Sequence, residues 1–316
     1  MRLSSLSSLL DDVKASRAIN DCWDRLEKLR TKGSGWSWCP KMEPSFYITT
    51  GILIRLGRLK KTGYINFSPA QTEAIEEAIA FADEEILKDY RRYGDKTSLA
   101  STMYYLYARS FFKPKAENAE FLALRTRALN RLSNSWKTMG VADKATTVIL
   151  FARDGNLSTA RAIIKSLTQY STYRPEQGRW FDNLQNNNGG VGKLVTTARV
   201  LEAYSEIEPS SPEIDEMRQW LILQRRGEDW GARSHITEVV QSVLTTGTNW
   251  DNDLSQSEIY LNEKKLEPGN VEKLSGMITM DINRADTGMV LRIEKKSEGP
   301  SWGGIVSQYE ARMQSI

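Results

Sequence analysis

One short phrase recurs five times along the chain, and it constrains the fold more than any other feature. In each copy a threonine leads an apolar run with helical spacing. The threonines that mark the copies are Thr49, Thr102, Thr146, Thr196 and Thr237. Successive copies are 53, 44, 50 and 41 residues apart, which is the length of two helices and two loops. The repeat therefore predicts a series of helical hairpins.

The segments between these copies have the pattern of a second, amphipathic helix in each hairpin. Ser68-Pro69-Ala70-Gln71 supplies an N-cap serine, a proline at the first helical position and a capping-box glutamine. Ser211-Pro212 begins a second such helix, and Asn156 precedes a third. Apolar residues follow at helical spacing in all three: Ile75, Ile79, Ala82, Ile86 and Tyr90; then Ile214, Met217 and Leu221; then Ala160, Ile163, Ile164 and Leu167.

The threonine-led helices are apolar over more of their circumference, which indicates burial on most sides. An inner ring of buried helices within an outer ring of amphipathic ones accounts for both patterns. We therefore expect a mainly α protein whose residues 1–250 form an α/α toroid of about five hairpins.

After Trp250 the helical spacing ends and short alternating segments take its place. They lie at 258–261, 278–282, 289–294 and 305–309. Alternation of this kind predicts strands. We expect residues 251–316 to form a small antiparallel β segment that is part of an incomplete sandwich.

Several tryptophans precede the threonine-led helices. Trp36, Trp38, Trp180 and Trp230 each lie in the loop that leads into such a helix. We interpret these rings as plugs at the loop ends of the hairpins, and as structural markers in preference to an aromatic ligand platform.

Composition excludes several classes of function. The chain of 316 residues has 43 Lys and Arg against 40 Asp and Glu, a net charge of +3, and no basic stripe, so we expect no nucleic-acid partner. No apolar run approaches the ~18 residues of a membrane span. The segment 1–6 has no continuous apolar core, so we expect no secretory signal here.

Acidic pairs are the first candidates for catalysis, because many α/α toroids are glycosidases that use two carboxylates. The candidates are Asp11-Asp12, Asp83-Glu84-Glu85 and Asp251-Asn252-Asp253. We interpret the second group as a solvated helix face, and the third lies in the break between domains. A toroid enzyme acting on carbohydrate or isoprenoid substrates is the alternative function.

Other reactive residues give weaker signals. Cys22 and Cys39 either pair or serve as separate small core residues, and with the single histidine, His235, they lack metal-ligand spacing. We favour a structural role for His235 at the start of the fifth threonine-led helix. The glycine-rich segment 188–193 is not a phosphate loop, because Leu194 follows Lys193 where Ser or Thr is needed.

Five segments carry a resemblance to a known family. They are 33–59 (GSGWSWCP…YITTGILIRLGRL), 104–112 (YYLYARSFF), 220–226 (WLILQRR), 229–250 and 299–309, with GPSWGG and then Gln308-Tyr309. In this order they resemble the thioester domain and the following β segment of bacterial α2-macroglobulin-like proteins. That resemblance implies an α/α toroid within a broad endopeptidase inhibitor, which traps a protease through a thioester after its bait region is cut.

The thioester of that family needs the motif Cys-x-Glu-Gln, which this chain lacks. Cys22 is followed by Trp-Asp-Arg and Cys39 by Pro-Lys-Met, while Glu176-Gln177 has Arg174 at the cysteine position. The family carries the motif in the first of its hairpins, and this chain has about one hairpin fewer. No bait region is recognisable.

The resemblance therefore implies a non-enzymatic fragment that acts as a scaffold and contact surface. We expect no catalytic, cofactor, metal or thioester residues in it. Its expected partners are the remaining domains of a larger inhibitor chain and a target protease, and its expected location is the periplasm or cell envelope.

Overall fold

A computed structural model describes residues 12–63, 66–112, 118–182, 192–224, 233–246, 258–267, 270–271, 278–279 and 288–294. Ten α-helices lie in these residues. In chain order they are α1 (Asp12–Glu27), α2 (Phe46–Thr62), α3 (Pro69–Tyr93), α4 (Leu99–Arg109), α5 (Ala119–Ser135), α6 (Val141–Asp154), α7 (Leu157–Leu167), α8 (Lys193–Ile207), α9 (Pro212–Gln224) and α10 (Arg233–Thr245). Short 3₁₀ turns follow α3, α5 and α7. The described part of the chain is mainly α, as the sequence predicts.

All five threonine-led phrases fall in the even-numbered helices, which we call the inner helices. Each inner helix packs against the next, in the order α2, α4, α6, α8 and α10. The first and last are joined by an ion pair between Arg58 and Glu238. The threonines of the first four copies are buried, whereas Thr237 of the fifth is exposed. The fifth copy also differs in sequence, because Glu238 follows its threonine where the other copies have Thr or Met.

The odd-numbered helices α3, α5, α7 and α9 form the second helix of each hairpin, and we call them the outer helices. α3 packs on α2 and α4, α7 on α6 and α8, and α9 on α8 and α10. The predicted capping box of α3 is present: Ser68 N–H donates to Gln71 Oε1 at 2.9 Å, and Gln71 N–H donates to Ser68 Oγ at 3.3 Å. The predicted apolar stripes of α3, α7 and α9 all pack into the core.

A β-hairpin that the sequence patterns did not predict separates α7 from α8. Strand β1 (Ser171–Arg174) pairs antiparallel with β2 (Gly178–Phe181), and Thr172 lies opposite Trp180. Gly178 has φ +86°, and a Cβ there would overlap the carbonyl oxygen of Glu216 on α9. A glycine is therefore needed where this hairpin packs on α9.

Two small antiparallel sheets lie in the C-terminal region. Strands β3 (Glu258–Leu261), β4 (Lys264–Lys265) and β7 (Leu291–Glu294) form one sheet in the order β4-β3-β7. Strands β5 (Asn270–Val271) and β6 (Ile278–Thr279) form the other. The predicted strands at 258–261 and 289–294 are confirmed, the one at 278–282 is described only for its first two residues, and 305–309 lies outside the described residues.

The chain divides into two compact units, residues 17–247 and residues 1–16 with 248–316. The larger unit contains the inner and outer helices and their core. Trp36, Tyr105, Phe151, Phe181 and Tyr204 are the largest aromatic side chains fully buried in that core. The domain bounds 1–250 and 251–316 remain a prediction.

Candidate functional site

Charged side chains of α2, α6, α8 and α10 and a tyrosine of α4 meet between the inner helices. We call this cluster the central ion-pair network. Its members are Arg58 on α2, Tyr107 on α4, Arg153 on α6, Arg199, Glu202 and Glu206 on α8, and Glu238 on α10.

Glu202 is the hub of the network, with only 8% of its side chain exposed. Its Oε2 accepts a hydrogen bond from the Tyr107 hydroxyl at 2.6 Å and one from Arg58 Nη2 at 3.2 Å. Its Oε1 accepts from Arg153 Nη2 at 3.1 Å. The Tyr107 hydroxyl in turn accepts from Arg58 Nε at 3.0 Å. One carboxylate of α8 thus binds α2, α4 and α6.

Two further carboxylates extend the network on either side of Glu202. Glu238 Oε1 accepts from Arg58 Nη2 at 3.1 Å and from Arg199 Nε at 2.8 Å. Glu206 Oε1 accepts from Arg153 Nη2 at 2.7 Å and also from Lys61. These bonds connect the first inner helix directly to the last.

Burial disfavours the ionised form of Glu238 and Glu206, but their positively charged partners favour it more strongly. Arg199 and Arg58 hold the pKa of Glu238 below its ordinary value of 4.5 despite the desolvation of that carboxyl. Arg153 and Lys61 lower the pKa of Glu206 in the same way. Glu206 and Glu238 therefore stay ionised at neutral pH.

The phenol and the central guanidinium also keep their neutral-pH states. Burial, and then the nearby Glu202 carboxylate, raise the pKa of Tyr107 well above 10.0. Burial opposes the charge of Arg58, but Tyr107, Glu202 and Glu238 together raise its pKa above the ordinary value.

This arrangement is suited to holding helices together and poorly suited to acid–base catalysis. A general acid or base needs a pKa close to the working pH, and the pKa values of Glu206 and Glu238 move away from it. In the described part of the chain, no group of three or more His, Cys, Asp or Glu side chains could hold a metal ion. Asp143, at the start of α6, has a pKa raised by burial, but one such carboxyl is not an acid pair.

The acidic triplet of α3 is not uniformly a solvated face, so that interpretation was wrong for Asp83. Asp83 Oδ1 accepts from the Tyr105 hydroxyl at 2.5 Å and from Arg109 Nε at 3.1 Å, which ties α3 to α4. Glu84 and Glu85 make exposed ion pairs with Arg91 and Lys88, as a solvated face requires. Asp11 and the group 251–253 lie outside the described residues.

The two cysteines are free, and both are exposed. The expectations of a disulfide and of small core residues were therefore both wrong. Cys22 lies on α1, and Cys39 lies in the loop before α2. Glu176 and Gln177 lie in the β1–β2 turn, where Gln177 N–H donates to the carbonyl of Arg174 at 2.9 Å.

The remaining candidates give no shared site. His235 lies in the first turn of α10, and its predicted structural role remains a prediction. Lys193 begins α8 and forms an exposed ion pair with Asp182 at 3.0 Å. Most of the glycine-rich segment before it lies outside the described residues.

The tryptophans divide into buried and exposed positions. Trp36 is fully buried, whereas Trp38 is 61% exposed, so the interpretation as a plug was wrong for Trp38. Trp180 is partly buried and stacks on Trp220 of α9 with ring centroids 5.8 Å apart. Trp230 lies outside the described residues.

Two threonines of the repeated phrase, Thr49 and Thr197 (the residue after Thr196), have a role that was not predicted from the sequence. Thr49 Oγ1 accepts a hydrogen bond from the buried N–H of Trp36 at 2.9 Å, and Thr197 Oγ1 accepts one from the buried N–H of Phe181 at 3.1 Å. In both hairpins a threonine in the first turns of an inner helix anchors the backbone that leads into it. The recurrence of the phrase was the available signal.

The central network was missed as well, although the sequence contained a signal for it. Arg58, Arg153, Arg199 and Glu202 are charged residues inside helices that are otherwise largely apolar. A charge in a helix that is buried on most sides implies a partner on a neighbouring helix.

None of the helices in the described ranges is long and apolar enough to cross a membrane.

No protein-family model matches this sequence, and no curated protein matches it. Solved structures do match. The structure of Salmonella α2-macroglobulin reacted with methylamine matches 84% of this chain and 17% of its own, with a TM-score of 0.55 and 15% identity.

A second match is native α2-macroglobulin from Escherichia coli, spanning domain MG7 to the C-terminus. It covers 84% of this chain and 40% of the E. coli chain, with a TM-score of 0.52 and 14% identity. This chain thus spans less than half the length of either structure. At these identities the likeness concerns the fold, and the described chain has the fold of the corresponding part of bacterial α2-macroglobulins.

Proposed function

We propose that this chain is part of an α2-macroglobulin-like endopeptidase inhibitor, in which it acts as a scaffold and contact surface without a thioester of its own. The observation that carries the proposal is the structural match to two bacterial α2-macroglobulins over 84% of the chain. Because the match takes in only part of each relative, the remaining domains of a larger chain are its first partners. A target protease is the second.

The scaffold role is supported by the chemistry between the inner helices. Buried ion pairs through Glu202, Glu206 and Glu238 connect α2, α6, α8 and α10, and a hydrogen bond from Tyr107 joins α4 to Glu202. We propose that these helices form the inner ring of an α/α toroid, with residues 1–250 as its domain and residues 251–316 as a β-rich segment. The lowered pKa values of Glu206 and Glu238 argue against the alternative of a toroid glycosidase, whose acid must carry a proton.

The absence of a thioester rests on the sequence. A thioester forms when a cysteine sulfur condenses with the glutamine side chain of Cys-x-Glu-Gln, and neither Cys22 nor Cys39 begins that motif. Both are present as free, exposed cysteines. An inhibitor of this family would act in the periplasm or cell envelope, which we propose as the location.

The inhibitor assignment is tested by the size of the native protein. An antibody raised to this chain should detect, in the source cells, a species far above 35.9 kDa, the mass of the 316 residues alone. A single native species at 35.9 kDa would contradict membership of a larger inhibitor.

The proposed lack of a thioester can be tested separately. Methylamine opens a thioester and adds to the acyl group, so the intact mass of a thioester protein increases on treatment. The mass of this chain should stay unchanged, and incubation with a serine protease should give no adduct that survives denaturation. Alkylation of both free thiols with iodoacetamide provides the positive control for accessible cysteines.

A further inference from the structure

An open groove of about 560 Å³ lies between α2 and α10, the first and last inner helices. The residues that line it come from these two helices alone. Arg58 and Glu238 connect the same two helices through the central network.

The wall of the groove is apolar and exposed. Leu244 is 65% exposed, Leu59 39% and Val240 38%, and all three line the groove together with Ile236. These apolar side chains, on two facing helices, form one exposed wall of the groove.

The polar residues of the groove are basic or neutral. Arg55 and Lys61 line it, and the lining residues include no Asp or Glu. Arg55 donates to the carbonyl of Gly51 one turn back on its own helix. Because a carbonyl is neutral, that bond leaves the positive charge of Arg55 uncompensated. Lys61 contacts Glu206 with a side chain that is still 41% exposed. The groove thus combines an apolar wall with two basic residues, Arg55, which bonds a neutral carbonyl, and Lys61, which is already paired with Glu206.

Three other pairs of neighbouring inner helices are each bridged by an outer amphipathic helix. α3 bridges α2 and α4, α7 bridges α6 and α8, and α9 bridges α8 and α10. α3 has an apolar stripe and an acidic remainder, with seven Asp or Glu against three Lys or Arg. An amphipathic helix is therefore the ligand shape that paired inner helices accept elsewhere in this fold.

We propose that the groove between α2 and α10 binds an acidic amphipathic helix of a partner protein. Its apolar stripe packs against Leu59, Val240 and Leu244, and its acidic residues face Arg55 and Lys61. This inference does not depend on the inhibitor function, because it rests on the groove alone.

The test uses a peptide of the proposed chemistry. A fluorescein-labelled peptide with the sequence of α3, residues 69–93, is acidic and amphipathic. It is titrated with the full chain, and its binding is followed by fluorescence anisotropy. One matched control peptide carries serine in place of its isoleucines, and a second carries glutamine in place of its glutamates.

We expect the α3 peptide to bind and both control peptides to bind at least about tenfold more weakly, because each loses one half of the complementarity. Leu244→Asp should weaken binding of the α3 peptide by at least about tenfold. Leu157→Asp, an equivalent change at an exposed leucine of α7, should leave it unchanged. Circular dichroism establishes that both variants are folded.

Three results would overturn the proposal. The first is no binding of the α3 peptide at low salt, and the second is binding that Leu244→Asp does not weaken. The third is a dimer of this chain in sedimentation that Leu244→Asp dissociates, since the groove would then be occupied by a second copy.

Discussion

Arg58 Nη2 lies 3.1 Å from Glu238 Oε1, and this pair joins α2 to α10 across 180 residues of chain. Both side chains are largely buried, with 8% and 12% exposed. The same guanidinium reaches Glu202 on α8. Arg58 thus connects the first inner helix to the last two, and its loss should affect the whole set of helices.

Replacing Arg58 with methionine should destabilise the protein by about 3–5 kcal/mol, because two buried carboxylates lose a partner. Urea unfolding at pH 7 measures this loss. Arg91→Met is the control, because Arg91 also contacts two carboxylates but is 48% exposed, and it should cost clearly less. Equal losses in the two variants would contradict a structural role for the network.

The stability of the fold should fall in acid through Glu238 and Glu206. Their pKa values are lowered in the folded state, so the folded protein binds fewer protons than the unfolded chain near the ordinary pKa of 4.5. The stabilisation is complete above that pH and is lost as the pH falls through the lower folded values. Urea midpoints between pH 7 and pH 3 measure it.

Glu238→Gln should make that pH dependence shallower, because one titrating group with a lowered pKa is removed. An unchanged slope in this variant would show that the acid sensitivity comes from other carboxyls. High salt weakens exposed pairs more than buried ones, so much of the slope should persist at high ionic strength.

The sequence predicted the local features of this fold well. Helical spacing, the Ser68–Gln71 capping box and the stripe of α7 depend on residues a few positions apart, and all three are found in the structure. The repeat, with a period of roughly one hairpin, further identified α2, α4, α6 and α8 as helices with many buried residues. These features can be predicted because the residues that interact in them are only a few positions apart in the sequence.

The central network could not be predicted in the same way. Tyr107 and Glu202 are 95 residues apart, and Arg58 and Glu238 are 180 apart, so the choice of partners depends on how the helices assemble. Trp36 and Trp38 illustrate a second limit. Both are tryptophans of the same short loop segment, two positions apart. Trp36 N–H donates to Thr49, whereas Trp38 lies at the surface.

Thr49→Val should destabilise the protein by about 1–3 kcal/mol, because the buried N–H of Trp36 loses its acceptor while the shape is kept. Thr126→Val is the control, since Thr126 on α5 is exposed and its hydroxyl bonds only one turn back to Leu122. Similar unfolding free energies for both variants would argue against the anchoring role of the repeated threonine.

Both thiols should react with a disulfide reagent in the native protein, because Cys22 and Cys39 are free and exposed. The measurement is the absorbance of the coloured thiolate that the reagent releases when it is added without denaturant. Cys39→Ser is the control, and it should halve that absorbance. A thiol that reacts only in denaturant would contradict the exposure of that residue.

Gly178→Ala should cost more than Gly63→Ala, although both glycines have positive φ, +86° and +74°. At Gly63, the C-cap of α2, an added Cβ meets nothing within 4 Å, so the cost is the left-handed backbone alone, about 1–2 kcal/mol. At Gly178 the Cβ would also overlap the carbonyl oxygen of Glu216 and the backbone nitrogen of Trp220. The β1–β2 hairpin would have to move away from α9, and the stacking of Trp180 on Trp220 would weaken. Unfolding of both variants, followed by tryptophan fluorescence, measures the difference, and equal costs would show that the close packing of this hairpin on α9 contributes nothing to stability.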